Sequence, residues 1–172
     1  KRKSLLFLLL MAVFAPLAMM AQETLTIYED GTATSSNVPV HGTWADAYLK
    51  CEIVVPADQL VEMNGGTISQ MDFYLTSPAS DAWTGTFQVF LMEVDDATIS
   101  DFYGPGNATI VYEGLLDGTQ STMTVAFSNN YVYGGDNLLI GVYQIVKGNW
   151  KSATFAGASV TGASGQGYSS SS

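Results

Sequence analysis

The stretch TFQVFLMEV, residues 86–94, decides the fold that this sequence predicts. In an extended strand, successive side chains point to opposite faces. One face of this run carries Phe87, Val89, Leu91 and Glu93, and the other carries Gln88, Phe90, Met92 and Val94. Both faces are mainly apolar, which is typical of a central strand that is packed on both sides or lies near a second sheet.

Similar short runs recur along the chain, separated by clusters of Gly, Asn, Asp, Pro and Ser. The predicted strands are Thr24–Tyr28, Ala47–Val55, Thr67–Thr76, Thr86–Val94, Thr109–Glu113, Met123–Phe127, Asn137–Val146 and Ser152–Phe155. We expect Val38–Val40 to add at most a short edge piece, because Pro39 cannot donate to a strand ladder.

One segment, PADQLVEMNGG at residues 56–66, departs from the strand pattern. An Asp near its start and a Gly pair at its end predict a single helical turn or one short helix near residues 57–63. The remaining pattern predicts an all-β fold, specifically a two-layer antiparallel β-sandwich. A jelly roll is the leading topology, and an immunoglobulin-like or fibronectin-like sandwich is the alternative.

The amino-terminal residues KRKSLLFLLLMAVFAPLAMMAQE have the composition of a secretory signal peptide: a basic start, a short apolar run and a small-residue end. We expect cleavage after Ala21 and export by the Sec route, so that the protein is secreted or displayed at the cell surface; the alternative is an uncleaved anchor. Residues 22–160 then form the sandwich domain. Residues 161–172 are rich in Gly and Ser and predict a linker or a truncated end.

The exported part is strongly acidic. Residues 1–21 hold three of the six basic residues and none of the 16 acids, so removing them leaves a formal charge near −13, from 3 − 16. Such a surface repels phosphate backbones and anionic lipid. We therefore expect no nucleic-acid partner and no membrane insertion of the mature chain.

Catalytic residue types are scarce, since the chain holds one His and one Cys. Nucleophilic triads need a Ser or Cys beside a base, and zinc sites usually need several His or Cys ligands. We interpret His41 as a turn residue and Cys51 as a buried structural thiol. The sequence thus predicts a noncatalytic protein without a cofactor, and a pair of carboxylates, as in glycoside hydrolases, is the remaining enzymatic alternative.

The densest acidic patch is EVDDATISDFYGPGN, residues 93–107. Calcium prefers several oxygen ligands on one loop. Asp95, Asp96 and Asp101 are therefore weak candidate ligands for a structural Ca²⁺, although this loop lacks the spacing of an EF-hand. The alternative is a hydrated loop without a metal.

The tryptophans lie at the ends of predicted strands, in GTWADAY, DAWTGT and KGNWKSA. An exposed indole can stack on the apolar face of a sugar ring. Trp44, Trp83 and Trp150 are therefore candidate ligand-binding residues. The alternative is that they cap the ends of the sandwich, with each indole N–H bonded to a loop carbonyl.

Long phrases of the chain, including TLTIYEDGTATSSNVPVHGTWADAYLKCEIVVPADQL (residues 24–60) and GGTISQMDFYLTSPASDAWTGTFQVFLMEV (residues 65–94), resemble the amino-terminal domain of large secreted proteins of Bacteroidales. The resemblance implies a jelly-roll sandwich similar to adhesin and MAM-like modules. It also implies further modules downstream, such as fibronectin type III modules, leucine-rich repeats or a sorting domain. It supplies no functional residues.

Together these features predict a noncatalytic extracellular module for adhesion or for carbohydrate or protein interaction, within a larger secreted or surface protein. The expected partner is a glycan or a surface protein of a host or bacterium. A purely structural spacer domain is the alternative.

Overall fold

The computed structural model of the chain describes residues 23–170, so the predicted signal peptide lies outside the described residues. These residues form nine strands and three short 3₁₀ turns. The strands are β1 (Ala33–Ser35), β2 (Tyr48–Val55), β3 (Thr67–Ser77), β4 (Thr86–Val94), β5 (Thr109–Gly114), β6 (Thr122–Val132), β7 (Asn137–Val146), β8 (Thr154–Gly157) and β9 (Ser164–Ser169). The 3₁₀ turns are Gly42–Trp44, Ala57–Gln59 and Val61–Met63.

The strands build two antiparallel sheets that pack face to face. One has the order β1-β8-β3-β6, and the other has the order β5-β4-β7-β2-β9. Strand β1 pairs with β8, β2 with β7, β3 with β6 and β4 with β5, each antiparallel. This nested pairing is that of a jelly roll, and β9 extends the second sheet beyond β2. The predicted all-β, two-layer antiparallel sandwich is confirmed.

Strand β4 lies inside the five-stranded sheet, between β5 and β7, and both of its faces are covered as its sequence predicts. Phe87, Val89 and Leu91 belong to the main core between the sheets. Phe90 and Val94 point the other way and belong to a second apolar cluster on the outer face of the same sheet. This sheet is therefore the part of the fold that is buried from two sides.

Close packing on the outer face requires a glycine in β7. Gly141 pairs with Phe90, and a Cβ added at Gly141 would lie 2.0 Å from the Cζ atom of Phe90. The Phe90 ring therefore lies directly over the backbone of β7. A side chain at position 141 would push this ring out of the cluster.

The helical segment that the sequence predicts near residues 57–63 is present as two successive 3₁₀ turns, Ala57–Gln59 and Val61–Met63. Within residues 23–170, none of the helical segments has the length and apolar character that crossing a membrane requires.

Two predicted strands are absent. Thr24–Tyr28 forms no ladder, because Leu25 and Ile27 pack against the core from an irregular segment that ends in a turn at Tyr28. The first strand is instead the short β1. Val38–Val40 forms no edge strand either: these residues are irregular, and Val40 is buried in the core.

The Gly/Ser composition that predicts a linker over residues 161–172 contains a strand. Residues Ser164–Ser169 form β9 and pair with β2 in continuous register from Tyr48–Ser169 to Ile53–Ser164. Side chains of neighbouring residues pack closely over its glycines: those of Ile99 and Phe102 lie over Gly165, and those of Lys50 and Phe102 lie over Gly167. The sandwich thus extends past residue 160.

Candidate functional site

Three loops meet at one end of the sandwich, and each carries one tryptophan. They are the loops before β2 (residues 36–47), between β3 and β4 (residues 78–85) and between β7 and β8 (residues 147–153). The backbone N–H of Lys151 donates to the carbonyl of Gly42 at 2.9 Å, and the N–H of Gly148 donates to that of Ala45 at 2.9 Å. These bonds fasten the first loop to the third.

Trp83 is at the centre of this end and is fully buried, with 0% of its surface exposed. Its indole N–H donates to the carbonyl of Lys151 at 2.9 Å, as a buried indole requires. Trp83 therefore has the arrangement of the alternative, a capping indole whose N–H bonds to a loop carbonyl, and it offers no exposed surface to a ligand. The polar residues around Trp83 in the sequence concealed its burial.

Asn149 fixes the second loop to the third. Its side-chain oxygen accepts hydrogen bonds from the backbone N–H of Thr84 at 2.7 Å and from the Thr84 hydroxyl at 3.2 Å. Its amide nitrogen donates to the carbonyl of Ala82 at 3.1 Å. The residue next to Asn149 in the chain is Trp150, so the segment that presents Trp150 is held in place before any ligand arrives.

Trp150 is the tryptophan that the structure leaves open, with 60% of its surface exposed. It borders an open groove of about 720 Å³. Polar residues also line this groove, among them Asp46, Ser80 and Ser152. Lys151, also in the lining, pairs with Asp81 at 2.7 Å. An apolar ring beside polar residues suits a ligand that has both an apolar face and hydrogen-bonding groups.

Trp44 does not line this groove, and its ring packs against two other rings. Its ring centroid is 3.7 Å from that of His41 and 4.0 Å from that of Tyr168 in β9, and 37% of its surface stays exposed. His41 directly precedes the 3₁₀ turn Gly42–Trp44, and its carbonyl accepts a hydrogen bond from the N–H of Trp44, as its interpretation as a turn residue implies. Desolvation lowers the pKa of His41, and a hydrogen bond with Gln166 opposes that shift. Trp44 therefore joins the first loop to the sheet edge.

The candidate calcium residues lie elsewhere, on the loop between β4 and β5 (residues 95–108). In the part of the chain that the structure describes, no group of three or more His, Cys, Asp or Glu side chains is arranged to hold a metal ion. Asp95, Asp96 and Asp101 are thus not brought together in such a group. The loop instead packs Ile99 and Ala108 onto the outer face of the five-stranded sheet.

Glu52 holds this loop on the sheet. It projects from β2 on the outer face and has 0% of its surface exposed. Its carboxylate accepts hydrogen bonds from the backbone N–H groups of Tyr103 at 2.9 Å and Gly104 at 2.8 Å, and from the Tyr143 hydroxyl at 2.7 Å. A buried carboxylate requires such partners, and here most come from the loop. The alternation of YLKCEIVV does not reveal this role.

We expect Glu52→Gln to lower the free energy of unfolding by about 2–3 kcal/mol, because the amide NH₂ would face N–H donors and leave some of them unpaired. Urea unfolding measures this change, and hydrogen exchange at Tyr103 and Gly104 should become faster. The exposed Glu62, changed to Gln, is the matched control and should alter stability by less than about 0.5 kcal/mol. Unchanged exchange at Tyr103 and Gly104 in Glu52→Gln would show that this carboxylate does not hold the loop.

A second carboxylate, Glu93 in β4, organises the turn between β6 and β7. It accepts hydrogen bonds from the backbone N–H groups of Gly134 at 2.8 Å and Asp136 at 2.9 Å, and from the Tyr131 hydroxyl at 3.4 Å. Desolvation raises the pKa of Glu93, but these hydrogen bonds outweigh it and hold the pKa of this carboxyl below its usual value. Burial and the nearby Glu93 charge raise the pKa of Tyr131 to about 12.

A lowered pKa means that the folded protein binds the Glu93 proton more weakly than the unfolded chain does. The stability from Glu93 is thus fully present above its unfolded pKa and is lost as the pH falls through the folded pKa. We expect Glu93→Gln to cost about 1 kcal/mol near neutral pH, and the difference from the wild type to shrink at about pH 3. Thermal or urea unfolding at both pH values measures it; a difference that grows on acidification would contradict the assigned hydrogen bonds.

Cys51 is buried, as its interpretation as a structural thiol requires. Desolvation, with a smaller contribution from the charge of Glu52, raises the pKa of the Cys51 thiol to about 12. A thiol with this pKa stays protonated near neutral pH and is a poor nucleophile.

The comparisons with known proteins identify no relative. No protein-family model matches this chain, and no curated protein and no solved structure matches it significantly.

Proposed function

We propose that this domain is a noncatalytic recognition module that binds carbohydrate at the loop end of the sandwich. The observation that carries the proposal is Trp150: a widely exposed indole at the border of an open groove, on a loop that Asn149 fixes in advance. Ordering a free loop on binding costs free energy, so a fixed loop favours affinity.

The chemistry of the groove supports a sugar as the ligand. An exposed indole can cover the apolar face of a pyranose ring, while Asp46, Ser80 and Ser152 can bond to its hydroxyl groups. The acidity of the chain disfavours anionic polymers such as sulfated or uronic-acid glycans. The proposed ligand is therefore a neutral glycan.

The proposed biological setting is a larger secreted or surface protein of the adhesin type. The basic and apolar start of the chain and the resemblance to secreted Bacteroidales domains support export. In this setting the module attaches its parent protein to a glycan or to a glycan-bearing surface.

We expect Trp150→Ala to weaken glycan binding by at least about tenfold, which corresponds to about 1.4 kcal/mol, a typical value for losing one aromatic contact. Binding is measured first on a neutral-glycan array and then by affinity electrophoresis in starch, xylan, galactomannan and β-glucan gels. Tyr74→Ala is the matched control, because Tyr74 is also exposed but lies on β3 of the other sheet. It should leave binding unchanged.

The outcomes separate the alternatives. Binding to none of these glycans, with circular dichroism showing an intact fold, would remove the carbohydrate proposal and favour a structural spacer. Equal losses in Trp150→Ala and Tyr74→Ala would place the ligand away from the groove.

A further inference from the structure

Strand β9 is an open edge of the five-stranded sheet, because β2 is its one neighbour in the strand order. The other edges of the described sheets are short or covered. Strand β1 has three residues, and the edges of β5 and β6 are bridged by the side chains of Ser128 and Asn129, which donate to carbonyls of β5 at 3.0 and 3.1 Å.

The register identifies the backbone groups of β9 that face outward. The N–H of Val54 donates to the carbonyl of Ala163 at 2.8 Å, so these two residues form a hydrogen-bonded pair of the β2–β9 ladder. In an antiparallel ladder such pairs alternate with pairs that are not hydrogen-bonded. Gly165, Gly167 and Ser169 therefore bond to β2, and the N–H and C=O groups of Ser164, Gln166 and Tyr168 point away from it.

Nothing in the sequence of β9 protects this edge. Natural edge strands usually carry a charge, a Pro or a bulge that prevents pairing with another chain. The strand reads SGQGYS, with no acidic or basic residue and no Pro, and its pairing with β2 has no register shift. Tyr168 on this edge is also 58% exposed.

The charge distribution favours contact between two copies at this edge. The exported chain is strongly acidic, so two copies repel each other over most of their surfaces. Two of the three lysines in the described residues lie beside β9: Lys50 pairs with Gly167 across the ladder, and the Lys147 ammonium donates to the carbonyl of Ser170 at 2.6 Å. The loop of residues 95–108, which carries Asp96 and Asp101, also packs against β9 through Ile99 and Phe102, and these two lysines offset part of its charge. Because β9 itself carries no charged residue, the residues that meet in a β9–β9 contact add no like-charge repulsion of their own.

We propose that β9 pairs antiparallel with β9 of a second copy of this chain, which joins two five-stranded sheets into one continuous sheet. The register follows from the outward groups. With the two-fold axis at Gln166, Gln166 pairs with its own counterpart, and Ser164 pairs with Tyr168 of the second copy. All three outward-facing residues of each strand are then hydrogen-bonded, which no other register achieves. The contact is a self-complementary two-fold interface.

A single strand pair buries less surface than a stable dimer needs, since specific interfaces usually bury about 1,200–2,000 Å². The association is therefore weak, and covalent trapping detects it best. Gln166→Cys places the thiols of two copies about 5.5 Å apart at Cα, within the range for a disulfide. Because Cys51 is buried, the new thiol is the accessible one.

Ser164→Cys is the matched control. It lies on the same strand and face, but in the proposed register two Cys at position 164 are separated by four residues, about 13 Å, which is too far for a disulfide. Both variants are oxidised with oxidised glutathione in about 1 M NaCl, where the Debye length is about 3 Å and repulsion is screened. We expect the Gln166→Cys dimer to form at least about tenfold faster. Equal rates, or no Gln166→Cys dimer, would overturn the proposal.

A second measurement needs no cysteine. Gln166→Pro removes an N–H that points away from β2, so the ladder within the chain stays complete. In sedimentation velocity, we expect the wild-type sedimentation coefficient to rise with concentration up to about 1 mM, and that of Gln166→Pro to stay constant. The thermal midpoint of Gln166→Pro should fall by no more than about 4 °C, because the side-chain hydrogen bond with His41 is also lost. A wild type that stays monomeric, or a Gln166→Pro protein that associates equally well, would also overturn the proposal.

Discussion

The structure depends on one constraint, which is that the five-stranded sheet must be covered on both faces. Its inner face packs against the four-stranded sheet, and its outer face carries Phe90, Val94, Val54 and Leu139. Burying one such side chain contributes about 1.5–3 kcal/mol, so this second cluster needs its own cover. The loop of residues 95–108 provides it, and Glu52 holds that loop through its backbone N–H groups. An acidic loop that resembles a metal site is thus part of the core.

At the loop end, two tryptophans pack within the fold and one is exposed to solvent. Trp83 is buried and binds the carbonyl of Lys151, which helps to fix the loop that follows β7. Trp44 packs between that end and β9. These contacts fix the loop that carries Trp150, so its exposed indole is held in one position and is available for contact with a ligand. The same indole chemistry serves packing at one position and contact with a ligand at another.

The sequence predicts the regular part of the fold well, because period-two alternation is strong in long strands. The pattern of β4 correctly indicates an internal strand covered on both sides, and the strand runs indicate a jelly roll. Strands β1 and β9 could not be predicted, since ATS and SGQGYS have no apolar alternation and depend on pairing with partners distant in the chain. Thr24–Tyr28 has the alternation but uses it for packing without a ladder.

The position of the candidate site could be predicted in part, but the burial of its side chains could not. Strand ends correctly mark the loops, and strand topology brings those loops together, but side-chain burial depends on the opposing loops. The sequence around Trp83 is as polar as that around Trp150, yet Trp83 faces Lys151 and Trp150 faces solvent. Glu52 likewise occupies a strand position on the outer face, where a carboxylate would normally be solvated. Its burial follows from a loop about 50 residues away in the chain.

The most direct test of the doubly covered sheet is native-state hydrogen exchange resolved by residue. A strand that is buried from both sides should open only in global unfolding. The account predicts that amides of β4 and β7 exchange more slowly than those of β3 and β6 by at least about tenfold. Slowest exchange in β3 and β6, with β4 and β7 opening first, would contradict it.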